Sequence, residues 1–264
     1  MEVWERAVPI RGTTLHVQGA GDGPAILFIH GMCGNADGWT GQTERLSGDF
    51  RCVAYDRRGH TRSPLGDVEH RSVQMHADDA AELIEALDLA PVVVVASSGG
   101  ARIGVDMLIR HARLLRGAVL SEPAILGLAP ELLPALFAEI EPKLRAAATP
   151  EDAVDAFFET IDPAMWAAMP DGRKDAYRAN HTELLGDLEM PPYLPSPEQF
   201  ASIGVPVRVI CGELSLPIFK EVAARFAASV PGAELVELQG ATHATYHLQP
   251  DAFAGAVRSF VTER

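Results

Sequence analysis

Apolar and polar positions along this chain follow two different periods, and they take turns. Short runs such as Ala25–Ile29, Val92–Ala96, Gly117–Leu120 and Val205–Cys211 are almost unbroken in apolar residues and rich in valine and isoleucine. Such runs predict strands of a parallel sheet that is covered on both faces. Phe50–Tyr55 and Ala233–Leu238 read as further strands. Helical spacing fills the intervals. Between Val73 and Leu87, the residues Leu83, Ile84 and Leu87 share one side, while Asp78, Asp79, Glu82 and Glu85 share the other. A last helix starts near Pro250 and aligns Phe253, Val257, Phe260 and Val261. Strands alternating with helices predict an α/β fold with helices on both faces of a mostly parallel sheet. At the start of the chain, Val3–Ile10 and Thr13–Gln18 predict a hairpin of antiparallel edge strands, followed by a turn over Gly19–Pro24.

The alternation breaks between residues 124 and 201. That interval predicts helices around 130–147, 150–160 and 171–186, then ends in the proline-rich stretch Met190–Pro197. It follows the sixth strand. The organisation expected is therefore a core of residues 1–123 and 202–264, with 124–201 inserted as a helical cap. Large apolar residues of this interval could line a pocket: Leu128, Leu132, Phe137, Trp166 and Tyr193 foremost, with Leu133, Leu136, Phe157, Phe158, Met165 and Met169 beside them. Plain packing against the core accounts for the same residues equally simply.

Composition narrows the partners. Lys and Arg number 22 against 36 Asp and Glu, a net charge of −14 that opposes a phosphate backbone and argues against nucleic acid. The chain holds 3 cysteines, Cys33, Cys52 and Cys211, an odd number that suits a reducing compartment. Cys52 and Cys211 lie in strand runs and are expected to act as small core residues. The N-terminus lacks the long apolar stretch of a secretion signal, and no apolar run approaches the ~20 residues of a membrane span. A cytoplasmic protein, monomeric or a homodimer, is expected, without a membrane partner.

The chemistry concentrates where strands end. Val92-Val-Val-Val-Ala-Ser-Ser-Gly-Gly-Ala101 runs from valines straight into two serines and two glycines. Small residues permit a tight strand-to-helix turn, and a serine at its apex, Ser98, exposes its hydroxyl beside helix N–H groups. Ser97, one residue earlier, turns away from the apex. Alone, the same letters also suit an ordinary Gly/Ser loop. Farther on, Ala233–Leu238 leads into Gly240-Ala-Thr-His243, which sets His243 on a loop past a strand end. Ala25–Ile29 ends in His30-Gly31-Met32, where main-chain N–H groups can face a developing oxyanion. Tyr55 is followed by Asp56-Arg-Arg-Gly-His-Thr-Arg-Ser63.

These four landmarks, in this order and spanning nearly the whole chain, resemble the α/β-hydrolase fold superfamily. The resemblance implies a nucleophile at Ser98, a base at His243 and an oxyanion hole from the N–H groups of Gly99 and of the Gly31–Met32 loop. The chain departs from the family pattern at Ala96, where the elbow's first glycine is usual, and at Thr61 after His60.

A third departure concerns the acid. Many family members carry Asp in a Gly-Glu-x-Asp setting after the strand that precedes the histidine loop. Here Gly212-Glu-Leu-Ser215 puts a hydroxyl in that place, and a hydroxyl cannot hold a histidine tautomer by charge. Glu122 is the first candidate. It ends the run that follows the elbow helix, so its strand should neighbour the one bearing Ser98, with its end at the edge where open sheets place ligands. Glu213 is the alternative acid. The Ser-Ser-Gly elbow together with Glu122-Pro123, and the length of 264 residues, resemble the zearalenone-type lactonases, which use an acid at this site.

The resemblance implies hydrolysis of a carboxylic ester or lactone of a hydrophobic small molecule, a zearalenone-like macrolactone among them, through an acyl-enzyme and with no cofactor. No metal is expected. His243 and His247 stand four apart, but on what reads as a loop rather than a helix. Carbon–carbon hydrolases and thioesterases share the same triad, and a hydrolase-like receptor with slow turnover stays open beside them.

Overall fold

A computed structural model describes residues 3–68 and 70–263. Its centre is an eight-stranded sheet in the order β1-β2-β4-β3-β5-β6-β7-β8. The strands are β1 (Val3–Ile10), β2 (Thr13–Ala20), β3 (Ala25–Ile29), β4 (Arg51–Tyr55), β5 (Val92–Ser97), β6 (Leu115–Ser121), β7 (Val207–Gly212) and β8 (Glu234–Leu238). From β4 to β8 every neighbouring pair is parallel, while β1 and β2 run antiparallel. The opening hairpin therefore forms as expected, turning at Gly12 with φ +75°. Of the two hairpin strands only β1 is an edge, however, because β2 continues into the sheet through β4.

The unbroken apolar runs have a simple cause: both sheet faces are covered. In β3, Leu27 and Ile29 join one core, and Ile26 and Phe28 the other. In β5, Val92, Val94 and Ala96 alternate in the same way with Val93 and Val95. Helices α1 (Thr40–Leu46) and α12 (Pro250–Thr262) cover one face, where Trp39, Leu46, Phe253, Val257 and Phe260 are buried. Helices α2 (Val73–Ala86), α3 (Gly99–Arg110) and α10 (Pro217–Ser229) cover the other.

Between β6 and β7 the chain is helical: α4 (Leu133–Ala146), α5 (Pro150–Ile161), α6 (Pro163–Ala168), α7 (Asp171–Arg178), α8 (His181–Glu189) and α9 (Pro197–Ala201). Proline in the first turn and side-chain caps define several starts; Thr149 with Asp152, and Ser196 with Gln199, form capping boxes. The helix expected over 171–186 is two. It breaks at Asn180, whose amide donates to the carbonyls of Cys33 and Gly34 (2.9 and 3.1 Å) and accepts from the Thr61 N–H (2.8 Å). Helix α6 was not anticipated. Between β8 and α12 lies the one-turn α11 (Thr245–Leu248), so His247 sits on a helical turn, not a loop.

Asp79 also departs from its expected place. It is buried and pairs with Arg58 through two hydrogen bonds of 2.6 and 2.8 Å. A second buried pair, Arg57 with Asp187 at 2.7 Å, fastens α8 to the loop after β4. Around Arg57 lie His30, His60 and His76, all buried. His30 accepts from the Arg57 N–H at 2.9 Å. Burial, and next the Arg57 charge, lower the pKa of His30 and of His76 to about 3.

These neutral histidines make stability depend on pH. Unfolded, each titrates near 6.5, so below that pH the unfolded chain takes up protons that the native chain refuses until about 3. Stability therefore falls as pH drops from about 6.5 toward 3, by up to roughly 1.4 kcal/mol per pH unit for each group. Urea denaturation at about pH 7 and pH 5 should show the loss, and His76→Leu should flatten the slope. An equal slope in that variant would remove His76 from this account.

Candidate active site

Ser98 stands between β5 and α3 with φ 55° and ψ −119°, a strained conformation for a residue with a side chain. The turn survives because small residues surround it. A Cβ on Gly100 would lie 2.4 Å from the His30 carbonyl oxygen, and one on Gly104 would lie 2.7 Å from Leu120. The valine run of β5 thus carries Ser98 to the carboxyl edge of the sheet and stops there.

Three other loops meet it. His243, past β8, directs Nε2 at Ser98 Oγ (2.9 Å) and Nδ1 at a carboxylate oxygen of Glu122. Glu122, one residue beyond β6, is fully buried and has φ 46°. Its other oxygen accepts from the Gly212 N–H (2.8 Å) and from the Ser215 hydroxyl. The Phe219 ring lies against the His243 imidazole, with centroids 4.1 Å apart. Ser98, His243 and Glu122 therefore form one continuous hydrogen-bonded line. Ser215, where an acid would be usual, donates to the acid instead. Glu213 is exposed and accepts from the Gly240 N–H at 2.9 Å; the carboxylate hydrogen-bonded to His243 among the described residues is that of Glu122.

Gly31 and Met32 face the elbow from the loop after β3. A Cβ on Gly31 would sit 3.3 Å from Ser98 Cβ, and one on Gly99 would sit 3.5 Å from Met32 N. Gly99 opens α3, so its N–H has no acceptor within the helix. The N–H groups of Met32 and Gly99 are thus brought to one side of Ser98.

A cavity of about 40 Å³ covers Ser98, walled by Phe157, Phe158, Ile161, Met165, Tyr177 and Tyr246. That is well below the roughly 300–1,000 Å³ of a typical small-molecule site. The five residues foremost in the sequence reading are not in its wall. Trp166 is buried, stacked on Phe158 and tilted against Tyr177, beneath Lys174 and Arg178. Tyr193 donates to Asp106 at 3.3 Å. Leu132 lines a groove with Leu136 and Ile218, and Leu128 packs against the core. Phe137 is exposed, beside Pro134 and Ala138. One face of an amphipathic helix cannot be told from its other neighbours by apolarity alone. Phe157, Phe158 and Met165, of the wider set, do reach the cavity.

Asp162 was missed. It caps α6, accepting from the Met165 N–H (3.0 Å), and grips both neighbours of the histidine: the Thr242 hydroxyl at 2.6 Å and the Ala244 N–H at 2.8 Å. The Asp-Pro start of α6 was the available signal. The cysteines are free and buried, and burial raises the Cys33 thiol pKa. Among the described residues no His, Cys, Asp or Glu cluster could hold a metal ion, and no helix is long and apolar enough to cross a membrane.

The alpha/beta hydrolase family model matches residues 26–256. The chain belongs to that family. It is similar to the uncharacterized hydrolase YraK of Bacillus subtilis, 37% identical over 129 residues, which is 48% of either chain and so about half of that relative's length. Along nearly its full length it is similar to the putative carbamate hydrolase RutD of Agrobacterium fabrum, 26% identical over 94% of this chain and 96% of the other. Among solved structures, carboxylesterase CesB of Bacillus subtilis superposes with a TM-score of 0.83 at 20% identity, covering 100% of this chain and 93% of that one. At that identity the likeness concerns the fold of this family member.

Proposed function

We propose that this α/β hydrolase is a serine hydrolase that cleaves a carboxylic ester or lactone of a hydrophobic small molecule. The observation that carries the reading is the unbroken line from Ser98 Oγ through His243 to Glu122. Ser98 attacks the carbonyl, His243 takes its proton, and Glu122 holds the imidazole and stabilises its charged form. The Met32 and Gly99 N–H groups, with the Gly31 loop, receive the oxyanion. His243 returns the proton to the leaving alcohol, and water then releases the acid from the acyl-enzyme. Phe157, Phe158, Ile161 and Met165 give the site an apolar roof, which supports a hydrophobic acyl or alcohol group. In this reading the helices of residues 124–201 act as a cap, and their roof residues part to admit substrate. The Ser-Ser-Gly elbow with Glu122-Pro123 favours the lactone branch and a zearalenone-like macrolactone within it.

A fluorophosphonate tests the reading. Stoichiometric labelling of Ser98, located by peptide mass, with parallel loss of p-nitrophenyl ester turnover, is expected. Labelling elsewhere, or none, would sink it. Comparing zearalenone with p-nitrophenyl esters then chooses between lactone and simple ester.

Asp162 has a positioning role in this scheme. Asp162→Ala frees both flanks of His243 and should lower kcat about 10- to 100-fold. Loss of the α6 cap should lower stability by about 1 kcal/mol. A shifted pH–kcat profile marks displacement of His243; a stability loss with unchanged kcat would assign Asp162 to the cap alone.

A further inference from the structure

Beside the reaction pocket lies a second cavity of about 290 Å³, which shares Met165, Tyr246 and His247 as its wall. Its polar lining is unusual. The Arg173 guanidinium, on α7, is steered by one hydrogen bond from Nη2 to the Asp37 carbonyl (2.8 Å). Its Nη1 is buried and without a hydrogen-bond partner among the described residues. No carboxylate pairs with it there, and it is the one charged side chain in the lining. Gln42, only 1% exposed, is held by its amide's donations to the Tyr246 and Pro250 carbonyls (3.0 and 3.1 Å). Its Oε1 is left unpartnered, as is Nε2 of His247.

Arg173 is half-buried, and its unpartnered Nη1 leaves one edge of the guanidinium free to take an anion in the cavity; a planar carboxylate matches that geometry. Burial, and next the charge of Arg173, lower the His247 pKa to about 4, so that ring adds no second charge. Gln42 Oε1 offers an acceptor to a hydroxyl or N–H next to the anion.

Resting on the ester-hydrolase reading, we infer that this cavity is a carboxylate subsite: the substrate carries, remote from its scissile carbonyl, a carboxylate that pairs with Arg173. Within the ester and lactone class the enzyme then prefers acidic substrates, and a neutral macrolactone such as zearalenone would leave this subsite unfilled; the apolar roof lies over the bond to be cut and the charge is held beyond Tyr246 and Met165.

Calorimetry on the Ser98→Ala protein tests this without turnover. Monomethyl adipate and methyl hexanoate have the same chain length and differ in the acid group. Monomethyl adipate should bind at least about 10-fold more tightly. Adding Arg173→Gln, which keeps a donor for the Asp37 carbonyl, should weaken monomethyl adipate about 10- to 100-fold relative to methyl hexanoate. Arg173→Lys should recover part of the preference. Equal affinity for the two esters in the Ser98→Ala protein, or an equal loss for both on Arg173→Gln, would overturn the subsite. Hydrolysis of monomethyl adipate by the wild type reports separately on the ester reading, because the binding result stands whichever way that measurement falls.

Discussion

Ser98→Ala should lower turnover of p-nitrophenyl esters by about 10⁶-fold, the scale on which removing a triad serine acts. The protein should still fold. Ser98 contributes a hydroxyl at a strained turn, and alanine there keeps the Cβ while losing only Oγ. The elbow is held by its neighbours: the Ser98 N–H donates to the Ser121 carbonyl at 2.9 Å, and its carbonyl accepts from the Ala101 N–H at 3.0 Å. Neither bond uses the side chain. Circular dichroism and the urea midpoint should therefore match the wild type while the ester rate falls to the background left by the oxyanion donors. A variant that retained even a tenth of the wild-type rate would move the nucleophile elsewhere, with the buried Ser97 hydroxyl, which also lines the cavity, next in line.

Glu122→Gln should cost about 10⁴-fold in kcat, because an amide in place of the acid favours the wrong tautomer of its histidine. The glutamine oxygen can still accept from Gly212 and Ser215, which fixes its NH2 toward His243 Nδ1. That nitrogen must then accept, which puts the ring proton on Nε2 and leaves nothing to take the Ser98 proton. The imidazolium formed during attack also loses its counter-charge. Ser215→Ala provides the control: it removes one donor from Glu122 and leaves the acid in place, so a far smaller drop is expected. Should Ser215→Ala prove as damaging as Glu122→Gln, the carboxylate would matter for the loop after β7 rather than for His243. Both variants are read by kcat on one ester, with folding checked by denaturation.

Much of this was legible because local rules and the global fold agree. The valine run of β5 allowed only a doubly covered strand, and the small residues after it only a tight turn. Glu122 could be placed since the strand that follows the elbow helix is the neighbour of the elbow strand. What stayed hidden depended on partners far away in the chain. Asp79 looked like a solvent-facing acid until Arg58, 21 positions earlier, supplied its counter-charge inside. The break at Asn180 follows from contacts 146 and 147 residues distant. Trp166 and Phe158 carry the same apolar signal, and only the packing of Trp166, stacked on Phe158 and tilted against Tyr177, decides which of them sees the cavity.

Glu122 stands one residue beyond the end of β6, and the helical segment follows within a few residues. The loop after β7, where an acid would be usual, here contributes only a main-chain N–H and a hydroxyl to Glu122. That loop is consequently freer to drift in sequence and length. The junction after β6 is not. Any recombination that exchanged the helices above the site, to acquire a new specificity, would have to splice downstream of Glu122. The history of such exchanges should therefore show crossovers that spare Ser121-Glu122-Pro123 while the residues beyond it turn over.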